Sequence, residues 1–187
     1  MFTFITTCDY AIDVHTPTRG SRYVPITILP HPALGGAFRR TEEPAVAFGS
    51  GFHMMTEQSL YVQDGILCVE VTRASVPSFT FEIGEGGRLE ADVIPIGVRC
   101  VLNALRFLRM LPGEPEAPPQ TVVMTRFVEL RATKGELLHT EMGLGSASEE
   151  PGTGLARIYS VYLANRHVPI FLPYGLISKI ELIPRTL

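Results

Sequence analysis

One stretch of the chain, Ile94 to Leu111, repeats its apolar residues at helical spacing, and it stands among short runs that alternate apolar and polar residues as strands do. Pro95 opens it at the first turn, where a missing N–H costs nothing, and Pro112-Gly113 stops it. A lone helix in strand-rich surroundings predicts a mainly β chain, α+β at the margin. The expected architecture is an antiparallel β-sandwich or flattened barrel with one central α-helix over about residues 95–111.

The strand pattern is clearest after Cys8. Cys8, Tyr10, Ile12 and Val14 fall on one side, and Asp9, Ala11, Asp13 and His15 on the other. Tyr23 to Leu29 returns as a strand with Pro25 near its start. Pro30, Pro32, Gly35 and Gly36, followed by the charged run from Arg39, mark 29–44 as an irregular loop. Ser59 to Val62 and Ile66 to Thr72, joined through Asp64-Gly65, form an expected hairpin. Phe79, Phe81 and Ile83 alternate with Thr80 and Glu82 in a further strand. Residues 112–119 hold a Pro-rich connection, and strands are expected at 121–132, 136–142, 155–164, 167–172 and 177–183. At 187 residues the chain fits a single domain, 1–187, able to bury roughly 70% of its unfolded surface.

Several function classes find no support. No apolar run reaches the ~20 residues that cross a bilayer, because Pro95, Gly97, Arg99 and Arg106 interrupt the best one. The segment Met1 to Tyr10 lacks a basic start and meets Asp9 and Asp13 where a signal-peptide cleavage site would fall. The expected location is therefore the cytoplasm, or a particle assembled there. Cys8, Cys68 and Cys100 are too far apart for CxxC chemistry and read as reduced, packed thiols. A net charge of -3 with mixed signs gives no nucleic-acid footprint. The glycines of Glu85-Gly86-Gly87-Arg88 lack a helix directly behind them, as a phosphate cradle needs, and Gly49-Ser50-Gly51 lacks the flanks of a nucleophile elbow.

What remains are fragments of chemistry. Asp13 and His15 share one strand face and are weak candidates for a metal site or a carboxylate-oriented base. His139, next to Glu141 on another strand, is a third, with His31 and His53 as distant partners. No catalytic residue and no cofactor is assigned. Arg99, Arg106 and Arg109 share a helix face with Asn103 and are candidate partner contacts. Phe171 and Tyr174 join them from the apolar, proline-interrupted end of the chain, where an uncovered edge invites a second subunit.

Mean hydropathy of +0.19 and the load of 15 prolines and 17 glycines favour a nonenzymatic structural or interaction subunit. Such a subunit would form a homo-oligomer or join a multi-protein assembly, in the manner of a virus or phage particle component by analogy of fold alone. The alternative is a small metal-dependent enzyme or ligand-binding barrel using Asp13, His15 or His139. A second alternative is a nucleic-acid-associated subunit using the arginine stripe.

Overall fold

The computed structural model describes residues 1–19, 21–55, 63–119 and 121–124, together with the backbone of 137–140 and 156–159. Its elements run α1 (Phe2–Ile5), β1 (Ala11–His15), β2 (Arg22–Ile28), a 3-10 turn (Pro32–Leu34), α2 (Gly36–Phe48), β3 (Phe52–Met54), α3 (Leu67–Arg73), β4 (Ser78–Glu85), α4 (Ile94–Phe107) and β5 (Val122–Met124). A separate antiparallel ribbon pairs β6 (Leu137–Thr140) with β7 (Ala156–Tyr159).

The five-stranded sheet has the order β1-β4-β2-β3-β5. Pairings β1–β4, β2–β3 and β3–β5 are parallel, and only β4–β2 is antiparallel among the described pairs of this sheet. The expected antiparallel sandwich or barrel is therefore wrong: this is a mixed α/β fold with a mostly parallel sheet and helices against it. The physical reason is visible in β4, whose residues Ser78 to Gly84 are all buried because the strand is covered on both faces. Its Phe79, Phe81 and Ile83 pack with Phe38, Ala45 and Phe48 of α2 and Cys100 and Ala104 of α4. Phe48 meets Phe79 and Phe81 edge to face at centroid distances of 5.3 and 4.8 Å. On the opposite face lie Thr80 and Glu82, with α3 packed over β1 and β4.

Strand β2 turns its Ile26 and Ile28 to this second face, where they pack with Phe52 and Met54 of β3. Its register shifts between Tyr23 and Ile26, and Pro25, which has no N–H to place in a ladder, sits in that irregularity.

Two helices occupy stretches whose sequence reads otherwise. Residues 36–44, the latter part of the expected loop, form α2 together with 45–48, and its buried positions Ala37, Phe38, Thr41, Pro44, Ala45 and Phe48 recur at helical spacing. The charged run beginning at Arg39 that suggests a loop belongs largely to the wet side of this helix, and Pro44 is accommodated inside it. The second arm of the expected hairpin is α3, whose Cys68, Val69, Val71 and Thr72 are buried. The turn at Gly65 leads into that helix because Glu70 accepts the Gly65 N–H at 2.8 Å and Arg73 at 2.9 Å. The first arm, Ser59 to Val62, lies outside the described residues, as do most of the strands expected beyond residue 124. The central helix is found as expected, although it ends at Phe107.

Helix α2 stops at Gly49, which adopts φ +74°. A Cβ there would sit 2.9 Å from Asn103 Nδ2 and 3.2 Å from the Glu116 carbonyl. Gly49→Ala is expected to cost about 2 kcal/mol, combining left-handed strain with displacement of Asn103. Urea unfolding checks this, and an unchanged midpoint would show that the helix end relaxes freely.

Candidate functional site

Strands β1 and β4 run parallel, so their C-terminal ends meet at one edge of the sheet, joined there by the start of the antiparallel β2. β2, β3 and β5 run the other way, so the carboxyl ends gathered at this edge are those of β1 and β4, the kind of strand end beside which open α/β sheets bind ligands. Polar side chains gather there. In register, His15 lies directly opposite Glu82 and Asp13 opposite Thr80, so all four residues share the second face.

His15 Nε2 contacts Asp13 Oδ1 at 2.8 Å, with the imidazole half exposed and the carboxylate largely covered. This contact engages Nε2 with Asp13 and leaves Nδ1 as the imidazole's other nitrogen. Glu82 is only 3% exposed in the middle of the sheet. Next to it, the Tyr23 hydroxyl is pushed up to about 12, first by burial and then by the Glu82 charge, so Tyr23 stays a protonated donor. The rim is built by Arg22, which reaches Glu90 at 2.9 Å and Asp92 at 3.7 Å, while the Glu85 N–H donates to Glu90 at 2.7 Å. Glycine-rich residues 84–87 therefore fold the chain back over the strand end, with Arg88 on Glu85 at 2.8 Å.

Asp13 and His15 are thus brought together as the strand periodicity requires. His139 lies on β6, opposite Arg157 in the separate ribbon. His31 caps the 3-10 turn by accepting the Ala33 N–H at 2.9 Å. His53 is 2% exposed in β3, and burial lowers its pKa from 6.5. A histidine held neutral inside makes the unfolded chain the stronger proton binder below pH 6.5, so stability is expected to fall as pH drops through that value. His53→Gln should flatten this acid limb in pH-dependent urea titrations; an identical limb in the variant would assign the slope to other groups.

Among the described residues no three His, Cys, Asp or Glu side chains gather so as to hold a metal ion. The cysteines are quiet. Cys68 lies beside Thr80 and Asp13, yet burial pushes its thiol up, and burial takes Cys100 to about 11.

Arg99 and Arg106 lie on α4, whereas Arg109 lies beyond its end at φ +59°, so the expected helix-face stripe of three is not found; all three arginines hold groups of their own chain. Arg99 donates to the Gly49 carbonyl at 3.2 Å, Arg106 meets Glu116 at 2.9 Å, and Arg109 meets Glu114 at 2.9 Å. Asn103, between them, is fully buried and bonds both the N–H and the carbonyl of Glu116, at 2.8 and 2.9 Å. Phe171 and Tyr174 lie outside the described residues.

Glu82 is the candidate residue that sequence reasoning passes over. The alternation of Ser78 to Ile83 presents it as an ordinary wet position, and only its burial in a central strand, where an acid is rare, marks it out.

Residues 2–108 match the family described as the succinylglutamate desuccinylase/aspartoacylase catalytic domain. Among solved structures, a succinylglutamate desuccinylase/aspartoacylase from Rhodobacter sphaeroides superposes with a TM-score of 0.72 at 22% identity, covering 88% of this chain and 50% of that one. A succinylglutamate desuccinylase from a Silicibacter species gives 0.72 at 20% identity, covering 89% and 50%. The product-bound ectoine utilization protein EutE (DoeB) from Ruegeria pomeroyi gives 0.69 at 22% identity, covering 88% and 50%. The chain thus spans about half the length of these solved relatives. A comparison with curated proteins finds no match. The match to an enzyme catalytic domain overturns the expectation of a nonenzymatic structural or assembly subunit. Hydropathy and a heavy load of Pro and Gly describe a sheet with long connections, and they do not separate an enzyme from a scaffold.

Proposed function

Because this chain belongs to the succinylglutamate desuccinylase/aspartoacylase catalytic-domain family, we propose that it serves the hydrolytic removal of a succinyl or other acyl group from the nitrogen of an acidic amino acid. One observation carries the reading. Inside the matched region, His15, already held by Asp13, stands opposite the buried Glu82 at the binding edge of the sheet.

In this reading the Glu82 carboxylate takes a proton from a water molecule as its oxygen bonds to the acyl carbon. The tetrahedral adduct then collapses, the C–N bond breaks, and the proton held by Glu82 passes to the departing amine. His15, held through Nε2 by Asp13, has its Nδ1 lone pair as an acceptor for a proton of the attacking water, and Tyr23, kept protonated, supplies a donor beside Glu82 for the developing oxyanion. Among the described residues Asp13 and His15 are two donors of the three protein ligands that a hydrolytic metal takes. Water activation is assigned to Glu82 for its burial opposite His15. The metal-dependent alternative on Asp13, His15 and His139 describes the same reaction class, and ligands beyond the first two would have to complete it.

The test is amine release from N-succinylglutamate and from N-acylaspartates, measured with the purified, folded chain alongside unrelated acyl amines. Preferential release from the acidic substrates is expected. A folded chain that releases no amine from any of them would overturn the proposal.

A further inference from the structure

The glycine pair of Glu85-Gly86-Gly87-Arg88 joins the loop after β4 to the loop that leaves β1 after His15. Arg19, at the far end of that second loop, forms an isolated parallel bridge with Gly86, in the same register that sets His15 opposite Glu82. The Ser21 N–H closes the turn on the Thr18 carbonyl at 3.0 Å, and the Gly86 N–H donates to the Ser21 carbonyl at 3.1 Å. A Cβ on Gly86 would strike the Pro17 and Thr18 carbonyls, and one on Gly87, which holds φ +80°, would lie 3.3 Å from both Cγ and Nε of Arg19. Both glycines therefore let the two rim loops touch, and the side chain lying along the seam is Arg19.

Charge gives this placement its meaning. The described carboxylates at this edge are those of Asp13, Glu82, Glu85, Glu90 and Asp92. Of the described arginines there, Arg22 is held by Glu90 and Asp92, and Arg88 by Glu85. Arg19 is exposed, and no described carboxylate pairs with it. An anionic ligand entering among so many acids is repelled except where a cation meets it, and a guanidinium meets a carboxylate as a planar fork of donors. We propose that Arg19 is the specificity-determining contact for a carboxylate of the substrate, donating its N–H groups to that carboxylate while the acyl carbon lies at His15 and Glu82. The identity of the substrate rests on the hydrolytic reading above, whereas the choice of residue rests on the seam between the two loops.

The experiment separates this contact from catalysis by using glutarate, which has the carbon skeleton and both carboxylates of glutamate but no bond to cleave, beside its neutral diamide, glutaramide. Each is titrated into the purified full chain and followed by amide shifts in NMR. The parent is expected to bind glutarate at least ~10-fold more tightly than glutaramide. Arg19→Gln should weaken glutarate at least ~10-fold and leave glutaramide unchanged. Arg39→Gln, which removes the same charge from an exposed position on α2, should change neither. Both arginines are exposed, so unfolding midpoints should stay in place. In the amine-release assay Arg19→Gln should raise KM for N-succinylglutamate about 10-fold with kcat near the parent's. A parent that does not prefer glutarate, an Arg19→Gln variant that keeps the preference, or an equal loss from Arg39→Gln would each overturn the proposal. A chain that selects glutarate through Arg19 yet releases no amine would sink the hydrolytic reading and leave the carboxylate contact standing. Amine release with a KM that Arg19→Gln does not move would sink the contact alone.

Discussion

Glu82→Gln is expected to lower acyl-group hydrolysis by about a thousandfold, within the range for loss of a general base, and to leave the unfolding midpoint nearly unchanged. The substitution keeps the shape of a side chain that is 3% exposed between β1 and β2, so packing against Ile26 and the strand ladder survives. What it removes is the ability to accept a proton from water. Steady-state rates on N-succinylglutamate, with parallel urea titrations, decide the matter. A variant as active as the parent would place water activation elsewhere. A variant that is inactive and also unfolded would make Glu82 a structural group, and Tyr23→Phe then separates the roles by testing its neighbour in a folded background.

The largest expected loss of stability comes from a residue that reads as part of a wet stripe. Asn103→Leu is expected to cost about 3 kcal/mol, because it strips partners from the Phe48 carbonyl at 3.3 Å and from both backbone groups of Glu116. Each orphaned group carries a desolvation penalty of about 1–3 kcal/mol, moderated at Glu116 because that contact is only partly buried. In a domain of this size the melting temperature should fall by roughly 6–12 °C. Arg109→Ala, just beyond the end of α4, should leave the midpoint in place, since both it and Glu114 are exposed. Equal effects from the two substitutions, in calorimetry or urea unfolding, would mean that the 112–119 segment is not clamped through Asn103.

These two residues show where sequence reasoning reaches and where it stops. The polar stripe Arg99, Asn103, Arg106 is correctly placed on one face of α4, but periodicity cannot distinguish a face turned to water from one turned to a neighbouring segment of the same chain. Likewise the alternation in β4 is legible, yet it leaves Glu82 looking like an ordinary wet position. Only the burial of both faces gives that carboxylate its meaning. Helix α2 was present in the sequence as the spacing of Ala37, Phe38, Thr41, Pro44, Ala45 and Phe48, and it is obscured by a proline and a charge run that mimic a loop. In α3 a short β-rich string, Leu67 to Thr72, becomes a helix because its apolar residues fit over β1 and β4, an override that no local propensity announces.

By itself the sequence determined what is set within a few residues: the faces of β1 and β4, the proline start of α4, and the Asp13–His15 pairing, all consequences of fixed strand and helix periods. Tertiary structure alone decided that β1 runs parallel to β4 and that His15 therefore meets Glu82. Parallel pairing joins strands through a long intervening chain, and the free energy that selects it lies in the shared core with α2 and α4 rather than in any local string of residues.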